Sequence, residues 1–108
     1  MSLRDQIRKG SSEILILRLL KDEPMYGFQI VQELKRRSGG YFEMKEGLLY
    51  PTLHKMKQAG LVTSEWERRE TQRRRKYYSL TEQGRKLLDD GSAEWDTFMR
   101  QMQAMLQS

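Results

Sequence analysis

Within residues 68–76, six of nine side chains are Arg or Lys: Arg68, Arg69, Arg73, Arg74, Arg75 and Lys76. Long cationic side chains at that density suit a polyanion such as a phosphate backbone, and arginine suits the focused negative potential of a DNA minor groove. A plain solvated loop that protects a sheet edge would also carry basic residues, but it needs fewer of them. A second constellation lies upstream. If Leu49, Leu53 and Met56 face a core, Tyr50, His54 and Lys57 form one outward stripe at helical spacing, with Thr52 and Lys55 on the neighbouring one and Lys45 at the N-terminal end. Cations, a hydroxyl and a phenol in that pattern fit contacts to phosphates and base edges. Tyr50 reads either as a DNA contact or as a half-buried packing residue, and His54 as a surface residue or a phosphate contact.

Other chemistry finds little support. The one histidine has no cysteine or carboxylate cluster beside it at metal-ligand spacing, and the chain has no cysteine at all. Glu65, Glu67 and Glu70 alternate near the basic run and read as solvated ion-pair partners rather than an acid/base set. No nucleophile–base pair or glycine-rich phosphate loop occurs. The sequence therefore predicts neither an enzyme nor a cofactor or metal site. With no apolar run of membrane-spanning length and no leader-like stretch, it predicts a cytoplasmic protein without a membrane partner.

The elements that must carry these groups follow from periodicity. The 108 residues allow one modest core. Residues 1–10 offer a weak amphipathic turn or two around Leu3 and Ile7. Ser11 or Ser12 is then expected to cap a central helix over 12–21, whose leucines favour helix over the competing strand reading. Pro24 separates it from a second helix over 26–38, closed by Gly39-Gly40. A third runs from about Gly47 to Ala59, with Pro51 expected in its first turn and a Schellman ending at Gly60-Leu61. From Val62 the period changes to two, and a β-hairpin follows, returning over 75–80. Thr81 caps a last helix of roughly 25 residues, about 38 Å.

That helix bears Leu88, Gly91, Trp95, Phe98, Met102 and Met105 at spacings of 3, 4, 3, 4, 3, widened by Leu87, Met99 and Leu106. Such a stripe fits a partner helix. Charge divides in the same way: residues 81–108 hold three basic and five acidic side chains, so residues 1–80 carry +7 of a chain total of +5. The fold expected is mainly α with a small antiparallel β-hairpin, a winged helix-turn-helix over 1–80 and a dimerisation helix over 81–108. Trp95, Phe98 and Met99, with flexible methionines around them, could leave a deformable cavity for a flat aromatic ligand.

The residues Tyr26-Gly27-Phe28-Gln29-Ile30, Leu49-Tyr50-Pro51-Thr52-Leu53, Ala59-Gly60-Leu61-Val62 and Arg74 through Gly84 together resemble the PadR family of winged-helix repressors, especially its short-tailed, multidrug-sensing subgroup. The resemblance spans roughly residues 12–100. It implies a homodimer that binds a palindromic operator in double-stranded DNA and represses transcription, with Tyr50 contacting DNA from the recognition helix and Arg73, Arg74 and Arg75 from the wing. It also implies a planar effector stacked on Trp95 across the dimer axis, and Leu3 and Ile7 packed on the partner's C-terminal helix. Leu48 departs from the small polar residue the family often has before Leu-Tyr-Pro. A winged-helix module that binds proteins and never DNA is the alternative.

Overall fold

The computed structural model describes residues 2–68 and 74–108. In chain order it contains α1 (Leu3–Asp22), β1 (Met25–Tyr26), α2 (Gly27–Arg37), α3 (Glu46–Gln58), β2 (Val62–Trp66), β3 (Lys76–Leu80) and α4 (Glu82–Gln107). Arg73, at the tip of the expected hairpin, lies outside the described residues, as do Arg69 and Glu70.

Against expectation, α1 is one unbroken 20-residue helix and not a loose leader followed by a helix from residue 12. Its cap is Ser2, whose hydroxyl accepts from the Asp5 amide while the Asp5 carboxylate accepts from the Ser2 amide, a reciprocal capping box. Ser11 and Ser12 are buried mid-helix. Their hydroxyls donate to the carbonyls of Ile7 and Arg8 one turn back, so neither is free to cap.

The second helix starts at Gly27 because Met25 and Tyr26 belong to a strand. They pair antiparallel with Tyr78 and Tyr77, which makes the expected two-stranded hairpin a three-stranded sheet of order β1-β3-β2. The hairpin itself is in register from Val62↔Leu80 to Trp66↔Lys76. In α3, which starts at Glu46, Pro51 is the sixth helical residue and so lies past the first turn in which it was expected. Having no N–H, it leaves the exposed Gly47 carbonyl without its intrahelical donor. The ending is as expected. The Leu61 amide donates to Met56 and the Gly60 amide to Lys57, with Gly60 at φ 79°, a Schellman closure that needs the left-handed glycine.

The core lies where the three helices meet the sheet. Ile16 and Leu17 of α1, Ile30 of α2, and Leu49, Leu53 and Met56 of α3 have no exposed surface. The start of α4 is bolted to the end of α3. Thr81 donates from Oγ1 to the Gly60 carbonyl and accepts from the Gly84 amide, its own amide donates to Leu61, and Gln83 Nε2 donates to the Ala59 carbonyl. Beyond Gly91 the side chains of the 26-residue helix are mostly exposed, and the molecule measures 60 × 28 × 21 Å. Among the described residues no helix is long and apolar enough to cross a membrane.

Candidate nucleic-acid interface

With Leu49, Leu53 and Met56 buried, helical geometry turns Tyr50, His54 and Lys57 outward, and all three are exposed. Tyr50 is 46% exposed, so half of its ring is covered. The cover comes from the start of α2: a Cβ on Gly27 would lie 2.5 Å from the Tyr50 hydroxyl oxygen. Both sequence readings of Tyr50 therefore hold in part, because it packs through one side and offers the other to solvent.

Thr52 and Lys55 occupy the side of α3 that faces α1. The Thr52 hydroxyl donates to the Leu48 carbonyl at 2.9 Å, and the Lys55 ammonium lies 3.7 Å from Glu13 of α1. With Leu48, Pro51 and Met44 they line a cleft of about 430 Å³ between the two helices. Leu48, the departure noted above, thus sits on this cleft, away from the Tyr50 stripe. Lys45 is the exposed N-cap of α3. Its carbonyl takes the amides of Leu48 and Leu49, and its side chain caps nothing.

At the wing base the backbones of Glu67 and Arg75 are locked together. The Glu67 amide donates to the Arg75 carbonyl at 2.8 Å, and the Arg75 amide to the Glu67 carboxylate at 3.2 Å. The Arg75 guanidinium lies 4.4 Å from the centre of the Tyr26 ring, which meets Tyr77 edge-to-face at 5.5 Å. Lys76 points its ammonium at the rings of Trp66 and Tyr78, at 5.6 and 6.0 Å. Arg74 is exposed. Sequence reasoning found the cations but not the aromatic faces that hold them. For Lys76 the signal was present, since period-two alternation places it opposite Trp66 across β2 and β3, whereas the Tyr26 ring under Arg75 lies on β1.

The tail divides into two parts. Leu88 is 3% exposed and belongs to the chain's own core, and the Gly91 backbone is pressed on Ile14, whose Cδ1 lies 2.5 Å from where a Cβ would stand. Of the expected seam residues, Leu88 is thus buried within the chain and Gly91 packs on α1 of the same chain. Beyond them Trp95 is half-buried against Phe98, edge-to-face at 5.3 Å. Phe98, Met99, Met102 and Met105 are exposed, and so are Leu3 and Ile7 on the N-terminal half of α1.

Residues 16–90, from the buried half of α1 to the point where α4 leaves the body, match the Transcriptional regulator PadR-like family. The chain belongs to this family. Membership places it among transcription regulators and not among enzymes. A PadR family transcriptional regulator from Eggerthella lenta is 28% identical and superposes with a TM-score of 0.84 over 95% of this chain and 88% of its own. A transcriptional regulator from Mycobacterium tuberculosis is 29% identical over 90% of this chain and 87% of its own length. The Bacillus subtilis PadR, solved in complex with operator DNA, is 29% identical with a TM-score of 0.66 over 72% of this PadR-like chain. The match spans 43% of that longer protein. In this PadR-like fold α2 and α3 form the helix-turn-helix, and β2 and β3 the wing.

Proposed function

We propose that this protein is a cytoplasmic, homodimeric, sequence-specific repressor that binds a palindromic DNA operator. Residues 1–80 form the DNA-reading head and 81–108 the dimerisation tail. In this reading α3 enters the major groove, with Tyr50, His54 and Lys57 toward base edges and phosphates and Lys45 at the entry end. The wing, from Arg73 to Lys76, lies along the neighbouring minor groove or its phosphates. Thr52 and Lys55 take the flank of α3 toward α1, where a phosphate could replace Glu13 as the partner of Lys55. The observation that carries the reading is the exposed Tyr50–His54–Lys57 stripe on the same helix whose other face is core, in a chain of a regulator family. A relative's complex with operator DNA supports it.

Two heads must be held at a spacing near one DNA turn, about 34 Å. The exposed apolar run of α4, with Leu3 and Ile7, is the surface suited to hold them. Trp95, Phe98, Met99 and Ile7 would line an interface pocket for a planar aromatic effector, whose wedging changes that spacing and relieves repression. Replacing Trp95 with alanine is expected to lower ligand binding while the protein stays a folded dimer. Unchanged ligand affinity would remove the pocket.

The deciding experiment is duplex binding as a function of salt. Several neutralised phosphates make affinity fall steeply between about 50 and 300 mM salt. Replacing Arg73, Arg74 and Arg75 by alanine is expected to abolish binding to a duplex selected from random sequence. A flat salt response, or binding that survives the triple replacement, would refute the role of the wing, and a protein that binds no duplex at all would favour a protein-interaction module instead.

A further inference from the structure

Gly27 stands at the first position of α2, where its choice is not explained by backbone geometry. Among the described residues positive φ occurs only at Gly39, Gly40 and Gly60. Glycine is also a poor helix former, and an alanine at an ordinary helical position would favour folding. A side chain is nevertheless barred here by one neighbour. A Cβ would meet the Tyr50 hydroxyl oxygen at 2.5 Å, its Cζ at 2.8 Å and its Cε1 at 2.9 Å. All three nearest atoms belong to the outer end of a single ring, half-exposed and reaching across from α3. No backbone atom is among them. The missing methyl group is therefore space reserved for the Tyr50 ring.

We infer that Gly27 is a positioning residue for DNA recognition: the bare α2 backbone is the seat on which the Tyr50 ring lies, and this seat fixes where the phenol points. The inference rests on the proposed role of Tyr50 at DNA. A methyl group at 27 leaves the ring one way out, into the solvent that half surrounds it. The fold survives, because a surface side chain moves and no core residue does. The hydroxyl, swung off its seat, loses its place relative to the neighbouring His54 and Lys57.

The test is a double-mutant cycle on a duplex selected from random-sequence DNA with the unmodified protein. Gly27→Ala, Tyr50→Ala and the double variant are compared for affinity and for thermal midpoint. Gly27→Ala is expected to bind about tenfold more weakly, the factor carried by one lost hydrogen bond to a charged group. The double variant should bind no more weakly than Tyr50→Ala, because the seat has no purpose without the ring. Proton cross-peaks between the Gly27 α-protons and the Tyr50 ring in the free protein report the seat directly. If Gly27→Ala instead unfolds the chain, the double variant should refold it, since the clash is gone. A double variant that stays unfolded overturns the inference. Losses that multiply in the double variant overturn it too, and so does a Gly27→Ala protein that binds normally while Tyr50→Ala does not. Full binding by Tyr50→Ala alone would remove the DNA role of Tyr50, and with it this inference, a different result from all the others.

Discussion

A methyl group on Gly84 would sit 2.1 Å from the Leu61 carbonyl oxygen, whereas one on Gly10 would meet nothing within 4 Å. The first clash is with backbone fixed by the Schellman closure and by the Thr81 amide, so α4 itself must shift. Gly84→Ala is expected to cost about 1–3 kcal/mol, the range for an overpacked interior contact. Gly10→Ala lies within α1 on an exposed face and should add about 1 kcal/mol through helix propensity. Urea denaturation of the two variants checks both signs, and equal effects would contradict the packing described. Residue types alone showed which positions of α3 are inner, since Leu49, Leu53 and Met56 are apolar at helical spacing. They did not show that Thr52 and Lys55 turn toward α1, because a polar residue on a flank reads the same as one facing outward.

Elements were legible where their period ran long enough to repeat. Both hairpin strands, the ending of α3 and the cap of α4 follow from pattern and turn chemistry. The segmentation of α1 does not, because Ser11-Ser12 before an apolar run looks like a helix start until the helix is seen to continue upstream and take their hydroxyls into back-bonds. Nor does β1, since two residues cannot display an alternation. Ion pairs add to the apolar joint between α1 and α2. Arg37 of α2 donates to Asp22 of α1 at 2.7 Å and to Glu33 at 3.3 Å, and Arg36 donates to Glu33 at 2.7 Å. The Arg36 hydrogen bond, with help from Arg37, lowers the Glu33 pKa from 4.5 to about 2. Arg37 and then Arg18 hold Asp22 below its ordinary value. Both groups are depressed on folding, so their contribution is full above the unfolded values and fades as pH falls toward 2. Arg37→Ala should lower the melting temperature modestly at pH 7, as suits exposed pairs, and the gap from the parent should shrink between pH 4.5 and about 2. A gap independent of pH would show that Arg37 acts through packing alone.

At the scale of the molecule, the heptad stripe of α4 changes its surroundings along its length. Leu88 closes the chain's own core and Gly91 packs on Ile14, Trp95 is half-buried, and Phe98, Met102 and Met105 are exposed. Sequence spacing is continuous across the change from buried to exposed, which is why the stripe reads as one seam. Phe98→Glu with Met102→Glu is expected to leave the head folded, yield monomers by light scattering and abolish tight operator binding, because one head alone reads half a palindrome. Dimers that persist would move the interface elsewhere. The 60 Å long axis has a thermodynamic corollary. If the end of α4 finds its cover on another copy, as proposed, unfolding is coupled to dissociation. The melting temperature should then climb with protein concentration, and dilution alone should act as a mild denaturant.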